Sequence, residues 1–314
     1  MLFISDAQIF QLSDPRALVG ALRNAFQGDT VAPDRMHCAL PGDSPATLLV
    51  MPAWRDRQAI GVKVVTAIPE NALRGRPTVD GGYILLDGQT GALRTVLAAS
   101  ALTLVRTAAV AALGADLLSR QDSRTLLMVG TGALAPHLIR AHAAIRPIER
   151  VLVWGRSLKK ARGVAAGIGA PHIVAEAAPD LNEAVARADI VSCATLSEAP
   201  LVLGRYVRPG THVDLVGSYR PSMREADNDL FRAARVVVDT RAALIESGDI
   251  IGPIEAGLLE QDVPDLALAL ARGVRREAAD EVTVFKAVGV ALADLAVAEH
   301  LAGLAPPASS LRGY

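Results

Sequence analysis

Apolar positions recur along the chain with two different periods. In residues 13–27, SDPRALVGALRNAFQ, Leu18, Leu22 and Phe26 fall on one face, Ser13 or Asp14 offers an N-cap and Pro15 sits in the first turn. This spacing predicts an amphipathic helix. Short apolar runs bounded by turn residues follow at 35–40, 46–54 and 59–68, and two more, YILLD and ALRTVLA, flank Gly88-Gln89-Thr90-Gly91. Antiparallel strands with a hairpin are expected there. Residues 102–119 are Ala-rich, lack Pro and read as a helix joining two domains.

Beyond Arg124 the pattern changes. TLLMV, RVLVW, DIVSCAT, HVDLVG and RVVVD are apolar on both faces, and the segments between them have room for helices. Alternation of this kind implies parallel βα units whose sheet is covered on both sides, a doubly wound fold. The tail at 281–304, EVTVFKAVGVALADLAVAEHLAGL, resumes a long helical pattern that can return to the first domain.

Composition narrows the partners. A length of 314 residues with 51% hydrophobic and 21% charged residues suits two average domains and excludes disorder. Lys and Arg number 32 against 33 Asp and Glu, a net charge of -1, so no basic excess exists to neutralise nucleic-acid phosphates. The 2 cysteines, Cys38 and Cys193, form no CxxC or Cys/His cluster, which argues against a disulfide framework and a metal site and fits a reducing cytoplasm. Asp6 interrupts a would-be secretory segment, and no uncharged apolar run reaches the roughly 18 residues of a bilayer span. No membrane partner is expected.

Gly130-Thr131-Gly132-Ala133-Leu134-Ala135 follows a predicted strand and opens a predicted helix. In that context a GxGxxA pattern allows a tight turn at Gly130, backbone approach to a pyrophosphate at Gly132 and close helix packing at Ala135. The competing reading is an ordinary strand-to-helix turn. The next strand ends in Trp154-Gly155-Arg156-Ser157, with Lys159 and Lys160 beyond, where an NAD site would carry an acid for the ribose hydroxyls. Arg156 offers a planar fork for a 2′-phosphate, so NADPH is favoured and NADH remains possible. A solvated basic helix start is the plainer alternative.

Two cations sit in apolar surroundings. Lys63 in AIGVKVVTAI lies on the face opposite Val62 and Val64, which places an ammonium on one face of a strand built for burial. A solvent-facing lysine on a two-faced strand is equally consistent with the pattern. Arg106 stands alone in LTLVRTAAVA, where an interhelix ion pair or a snorkelling side chain is the ordinary explanation.

The series Pro33-Asp34-Arg35-Met36-His37, Met51-Pro52, Gly61-Val62-Lys63, Pro69 with Asn71, Gly75 with Pro77-Thr78, and Leu102-Thr103 with Arg106-Thr107 leads up to the glycine motif at 130. Ala194-Thr195, Gly217-Ser218 before Pro221 and Glu225, Gly248-Asp249, and Phe285-Lys286 before Gly289 and Asp294 complete it. In order and spacing the chain resembles the ornithine cyclodeaminase/mu-crystallin family over nearly its whole length. The resemblance implies an α/β architecture with a central Rossmann-type domain at 117–285. A split α+β substrate and dimerisation domain at 1–116, with a returning C-terminal helix at 286–314, and a homodimer are implied with it. It implies that Arg35 and Arg106 hold a substrate carboxylate, that Lys63 is the catalytic residue beside the reacting amine or imine carbon, and that Thr78 lines the pocket. It assigns Gly130, Thr131, Gly132, Ala133, Leu134, Arg156, Ser157, Lys160, Thr195, Gly217 and Ser218 to the cofactor.

Two departures from the cyclodeaminase pattern follow. Those enzymes carry an aspartate two residues before the loop proline, where this chain has Tyr219 ahead of Pro221. A phenol with an ordinary pKa of about 10 is a poor base at neutral pH. The basic loop at Arg156 also differs from the acidic end of NAD-recycling cyclodeaminases. Both favour the family's imine reductases, acting on a small imino or amino acid such as 1-pyrroline-2-carboxylate or 1-piperideine-2-carboxylate. Ornithine cyclodeaminase, an alanine- or opine-type dehydrogenase and a non-catalytic NADPH-dependent binding protein are the alternatives.

Overall fold

The computed structural model describes residues 2–41 and 46–306. The chain divides into two compact units, Met1–Arg106 with Val290–Tyr314, and Thr107–Gly289. The division falls inside the long helix expected at 102–119 rather than at its end.

The first unit opens with β1 (Leu2–Ile4), α1 (Asp6–Leu12) and α2 (Pro15–Phe26). Neither β1 nor α1 was expected. Three residues are too few to show a strand period, and α1 rests on a capping box between Ser5 and Gln8 rather than on a broad apolar face. In α2 the Asp14 side chain accepts the Ala17 N–H at 2.7 Å, Pro15 occupies the first turn, and Leu18, Leu22 and Phe26 are buried as the spacing predicts. Strands β2 (Met36–Ala39), β3 (Thr47–Arg55), β4 (Ala59–Ala67), β5 (Val79–Asp87) and β6 (Leu93–Ala98) then form an antiparallel meander. Asp87 Oδ1 shapes the β5–β6 hairpin by accepting the N–H groups of Gln89 and Thr90. The strand order is β1-β6-β5-β4-β3-β2, with β1 parallel to β6.

Helix α3 (Ala99–Leu118) leads into the second unit. By length and composition it matches a bilayer span, yet 72% of its apolar window is buried, as in a core helix. There follow β7 (Thr125–Val129), α4 (Ala135–Ile145), β8 (Arg150–Trp154), α5 (Leu158–Ala166), β9 (Val174–Ala177), α6 (Leu181–Arg187), β10 (Ile190–Cys193) and β11 (His212–Leu215). Strand β12 (Arg235–Val238), helices α7 (Ala243–Glu246), α8 (Gly248–Glu255) and α9 (Leu266–Arg272) and strand β13 (Thr283–Lys286) complete it, and α10 (Ala291–Leu304) belongs to the first unit. The sheet is parallel throughout in the order β12-β13-β11-β10-β7-β8-β9, and Leu127, Val191, Val213 and Val284 from four adjacent strands are fully buried.

One expectation is corrected. Residues 283–286 do not begin a long helix but form β13, inserted between β11 and β12. A four-residue apolar run fits a buried strand or a helix turn equally well. Gly289, at φ 89, then breaks the chain direction before α10 begins.

Candidate active site

The first unit concentrates charge inside its core. Along β4 the residues alternate in burial, and Lys63 falls on the buried face with Gly61 and Val65, while Val62 and Val64 are the half-exposed ones. The solvent-facing alternative for Lys63 is therefore excluded, its side chain being 3% exposed. Met51 and Tyr83 stand opposite it on the neighbouring strands. Gly61 permits this packing, because a Cβ there would collide with the Tyr83 hydroxyl.

An ammonium held in such a place needs a partner. The partner is Asp294 in the first turn of α10, fully buried, whose Oδ2 accepts from Lys63 Nζ at 2.7 Å. Its Oδ1 lies 3.0 Å from Arg106 Nε, an ion pair whose N–H is not aimed along a hydrogen bond. One carboxylate thus joins two nearly buried cations. Burial pulls the Lys63 ammonium down to about 8, Asp294 pulls the other way, and Arg106 and Arg35 add to the lowering. Arg35 is half-buried and near enough to act on Lys63. Thr78 is exposed in the loop before β5, where its carbonyl accepts from Ile68 N at 2.7 Å.

Asp294 is the site residue that pattern alone does not reveal. An acid in a helix's first turn is ordinarily read as a partner of the helix dipole. Only the fold, which lays α10 on β4, shows what it faces.

The second unit carries a cleft at the C-terminal ends of β7, β8 and β10. The strand order reverses between β7 and β10, the position at which open α/β sheets bind ligands. The cleft has a volume of about 300 Å³ and is lined by Gly130, Thr131, Gly132, Arg156, Ala194 and Thr195, among others. Gly130 has φ 129, and a Cβ on it would lie 2.5 Å from the Ala194 carbonyl. Gly132 has nothing within 4 Å of a Cβ, so its backbone is open to a ligand. Ala133 is exposed beside it, and Leu134 precedes α4 without a side-chain cap. Within the first turn the Ala135 N–H donates to the Gly132 carbonyl, the His137 N–H donates to that of Leu134 and Pro136 has none, so a ligand here meets the glycine turn ahead of the helix rather than the helix's own first N–H groups. These features fit a dinucleotide pyrophosphate.

Arg156 is exposed at the cleft, and no acid pairs with it among the described residues. Ser157 caps α5, its Oγ accepting from Lys160 N at 3.4 Å, and the Lys160 side chain is exposed. Thr195 lines the cleft while its N–H and hydroxyl both bind Glu225. Gly217 N also binds Glu225, at 2.6 Å. Ser218 is fully buried against Ser247, at 2.6 Å between hydroxyls, so it shapes the loop from behind the cleft wall. Tyr219 is 41% exposed with the Arg220 guanidinium 5.5 Å from its ring centre.

The family model for ornithine cyclodeaminase/mu-crystallin proteins matches residues 7–303. The chain belongs to this family. A Delta(1)-pyrroline-2-carboxylate reductase of Paracoccus denitrificans is 40% identical over 294 residues, covering 91% of this chain and 92% of that protein. The structure of a Thermococcus litoralis Delta(1)-pyrroline-2-carboxylate reductase in complex with NADH and L-proline superposes with a TM-score of 0.90 at 30% identity, covering 96% of this family member and 97% of that chain. An archaeal alanine dehydrogenase dimer with bound NAD gives 0.87 at 27% identity, over 96% and 95%.

Proposed function

We propose that this family member is an NAD(P)H-dependent reductase of small cyclic imino acids, converting 1-pyrroline-2-carboxylate to L-proline and 1-piperideine-2-carboxylate to L-pipecolate. The observation that carries the proposal is the buried Lys63, held by Asp294 beside Arg106 and within electrostatic reach of Arg35. The likeness to pyrroline-2-carboxylate reductases supports it.

Gly130, Thr131, Gly132 and the turn leading into α4 would hold the cofactor's pyrophosphate, and Arg156 its 2′-phosphate. The cofactor, when bound, supplies a hydride to the C=N carbon. The guanidinium groups of Arg106 and Arg35 bind the substrate carboxylate, which fixes the face of the imine that is presented. Lys63 holds a proton at the imine nitrogen. As the carbon gains hydride, the C=N π pair becomes a nitrogen lone pair that takes this proton, and the lysine is left neutral until solvent restores it. Asp294 keeps Nζ in place and favours its charged form. The loop with Tyr219 offers no carboxylate to help an amine close a ring, which disfavours ornithine deamination.

A panel of cyclic imines, keto acids with amines, and ornithine, followed by cofactor absorbance, tests the function. The imines should be reduced, and ornithine should give little or no proline. Matching rates of ammonia release from ornithine would move the protein to the cyclodeaminases. NADPH should bind more tightly than NADH, and Arg156→Ala should narrow that gap roughly tenfold by removing one charge-assisted phosphate contact. Equal affinities in the unmodified protein would refute this choice.

The proposal includes a homodimer. On the outward face of the first unit's sheet, Ile84 lies opposite Val62 and Val96, and Val62 opposite Pro52. Phe3, Met36 and Trp54 on the same sheet are exposed by 57%, 58% and 37%. A contiguous apolar face of this kind marks an interaction surface. In a two-fold dimer each substitution is present on both sides, so Val62→Lys with Ile84→Lys would set like charges against one another. Light scattering should report a dimer for the unmodified protein and a monomer for the double variant, and a monomeric unmodified protein would overturn the assignment.

A further inference from the structure

A second cluster of buried titratable groups lies in the second unit, and the reduction chemistry does not use it. Glu225, Asp249 and Lys286 are each fully buried. Glu225 stands behind the cleft and joins two loops. Its Oε1 accepts the Thr195 N–H at 2.7 Å and the Thr195 hydroxyl at 2.8 Å, and its Oε2 accepts the Gly217 N–H at 2.6 Å. Thr195 follows β10 and lines the cleft, whereas Gly217 follows β11. The loops meet so closely here that a Cβ on Gly217 would collide with the Thr195 backbone and with Glu225 itself. Glu225 is held in turn by Asp249, whose Oδ1 accepts the N–H groups of Glu225 and Ala226 at 2.7 and 3.0 Å and whose Oδ2 lies 3.5 Å from Lys286 Nζ.

We infer that Glu225 is a positioning residue for the dinucleotide, a carboxylate clamp that shapes the cleft only while ionised and so makes cofactor affinity depend on pH. The inference rests on the cofactor reading above. The geometry explains the dependence. Three donors converge on two oxygens, and every one needs an acceptor. Protonation turns one oxygen into a donor that faces an N–H, so one loop loses its anchor.

The surroundings bring this change into the neutral range. Burial raises the Glu225 carboxyl to about 7, opposed by Lys286 on β13 and reinforced by Asp249 on α8, while the Thr195 hydrogen bonds hold it down. Cys193 on β10 interacts with Glu225 and with Asp214 on β11, and burial pushes its thiol well above its ordinary value, so it stays neutral. Arg224 turns away, its guanidinium bound to the Ala226 carbonyl and Asn228. An acid with a raised pKa is ionised above about 7, so tight binding belongs to the alkaline side and is lost as pH falls.

The test is NADH affinity, read from Trp154 fluorescence at the cleft over about two pH units either side of neutrality. NADH is the probe because it lacks the 2′-phosphate, whose own second pKa near about 6 would confuse the profile. Affinity of the unmodified protein should fall several-fold as pH drops through 7. Glu225→Gln keeps the shape but turns an NH₂ toward one of the N–H groups; it should bind roughly tenfold more weakly at alkaline pH and show a flat profile. Thr195→Val removes one donor without touching the carboxylate, so it should bind more weakly and, because that hydrogen bond helps hold the Glu225 carboxyl down, move the pH midpoint upward. It carries the test if Glu225→Gln fails to fold. A flat profile for the unmodified protein, or a Glu225→Gln variant that retains the pH dependence, overturns the inference while leaving dinucleotide binding intact. Absence of NADH and NADPH binding at every pH overturns the cofactor reading, and this inference with it.

Discussion

Lys63→Ala is expected to lower kcat by roughly 10²- to 10⁴-fold, the range that a positioned proton donor contributes. In the proposed mechanism the proton that Lys63 gives is bound more strongly by the nitrogen in the transition state than in the imine, so its loss falls on the chemical step. In the same proposed mechanism the arginines face a carboxylate whose charge is the same in substrate and product. Their contribution is therefore mostly uniform binding, and Arg106→Ala should raise KM more than it lowers kcat. The pH profile gives a second measure. Lys63 is pulled to about 8 by its burial, so kcat/KM should decline on the alkaline side with a limb near that value in the unmodified enzyme. Steady-state kinetics at saturating NADPH, after circular dichroism has shown that the fold survives, checks both expectations. A Lys63→Ala enzyme with near-normal kcat and only a raised KM would make the lysine another carboxylate anchor and end the proton-donor mechanism.

Parts of this arrangement were open to inference from local pattern. The α2 helix announced itself through Asp14, Pro15 and the spacing of Leu18, Leu22 and Phe26, because cap and apolar face are both local properties. The cleft was similarly visible, since a strand, a turn at Gly130 and a helix succeed one another within 125–145. The alternation along β4 separated Lys63 from Val62 and Val64, but not the buried face from the open one, because both faces carry apolar residues. That choice is made by α10, which arrives from 231 residues away bearing Asp294. The role of Glu225 was hidden for a related reason: Gly217 lies 8 residues before it, but Thr195 lies 30 residues away across β11, and only the fold brings both loops onto one carboxylate. Resemblance to a family supplied their order, and only the fold supplied their contacts.

The largest effect on stability should come from Asp294. Substitution by Ala removes the one carboxylate between Lys63 and Arg106 and leaves two cations, both almost wholly buried, without compensation. Breaking a buried ion pair from one side costs roughly 3–5 kcal/mol, much of the folding free energy of an ordinary domain. Asp294→Asn keeps the volume and one acceptor, so it should lose less and serve as the variant in which function is measured. Its pH dependence has a definite sign. Asp294 holds the Lys63 pKa up against burial, and its removal lets that pKa fall below about 8. Below the new value the lysine is charged and unpaired, so the destabilisation is greatest there; as pH rises the folded state sheds the proton more readily than the unfolded chain, and stability recovers. The alkaline limb of kcat/KM should move to lower pH in step. Replacing the cation as well, in Lys63→Met with Asp294→Asn, should restore part of the lost stability without restoring activity, since one unpaired charge is gone and so is the proton donor. Urea unfolding across the pH range, together with kcat/KM profiles, measures both shifts. If Asp294→Asn unfolds like the unmodified protein and keeps its alkaline limb near 8, the carboxylate neither compensates the buried charge nor sets the lysine's proton, and the catalytic cluster would have to be rebuilt around Arg35 and Arg106 alone.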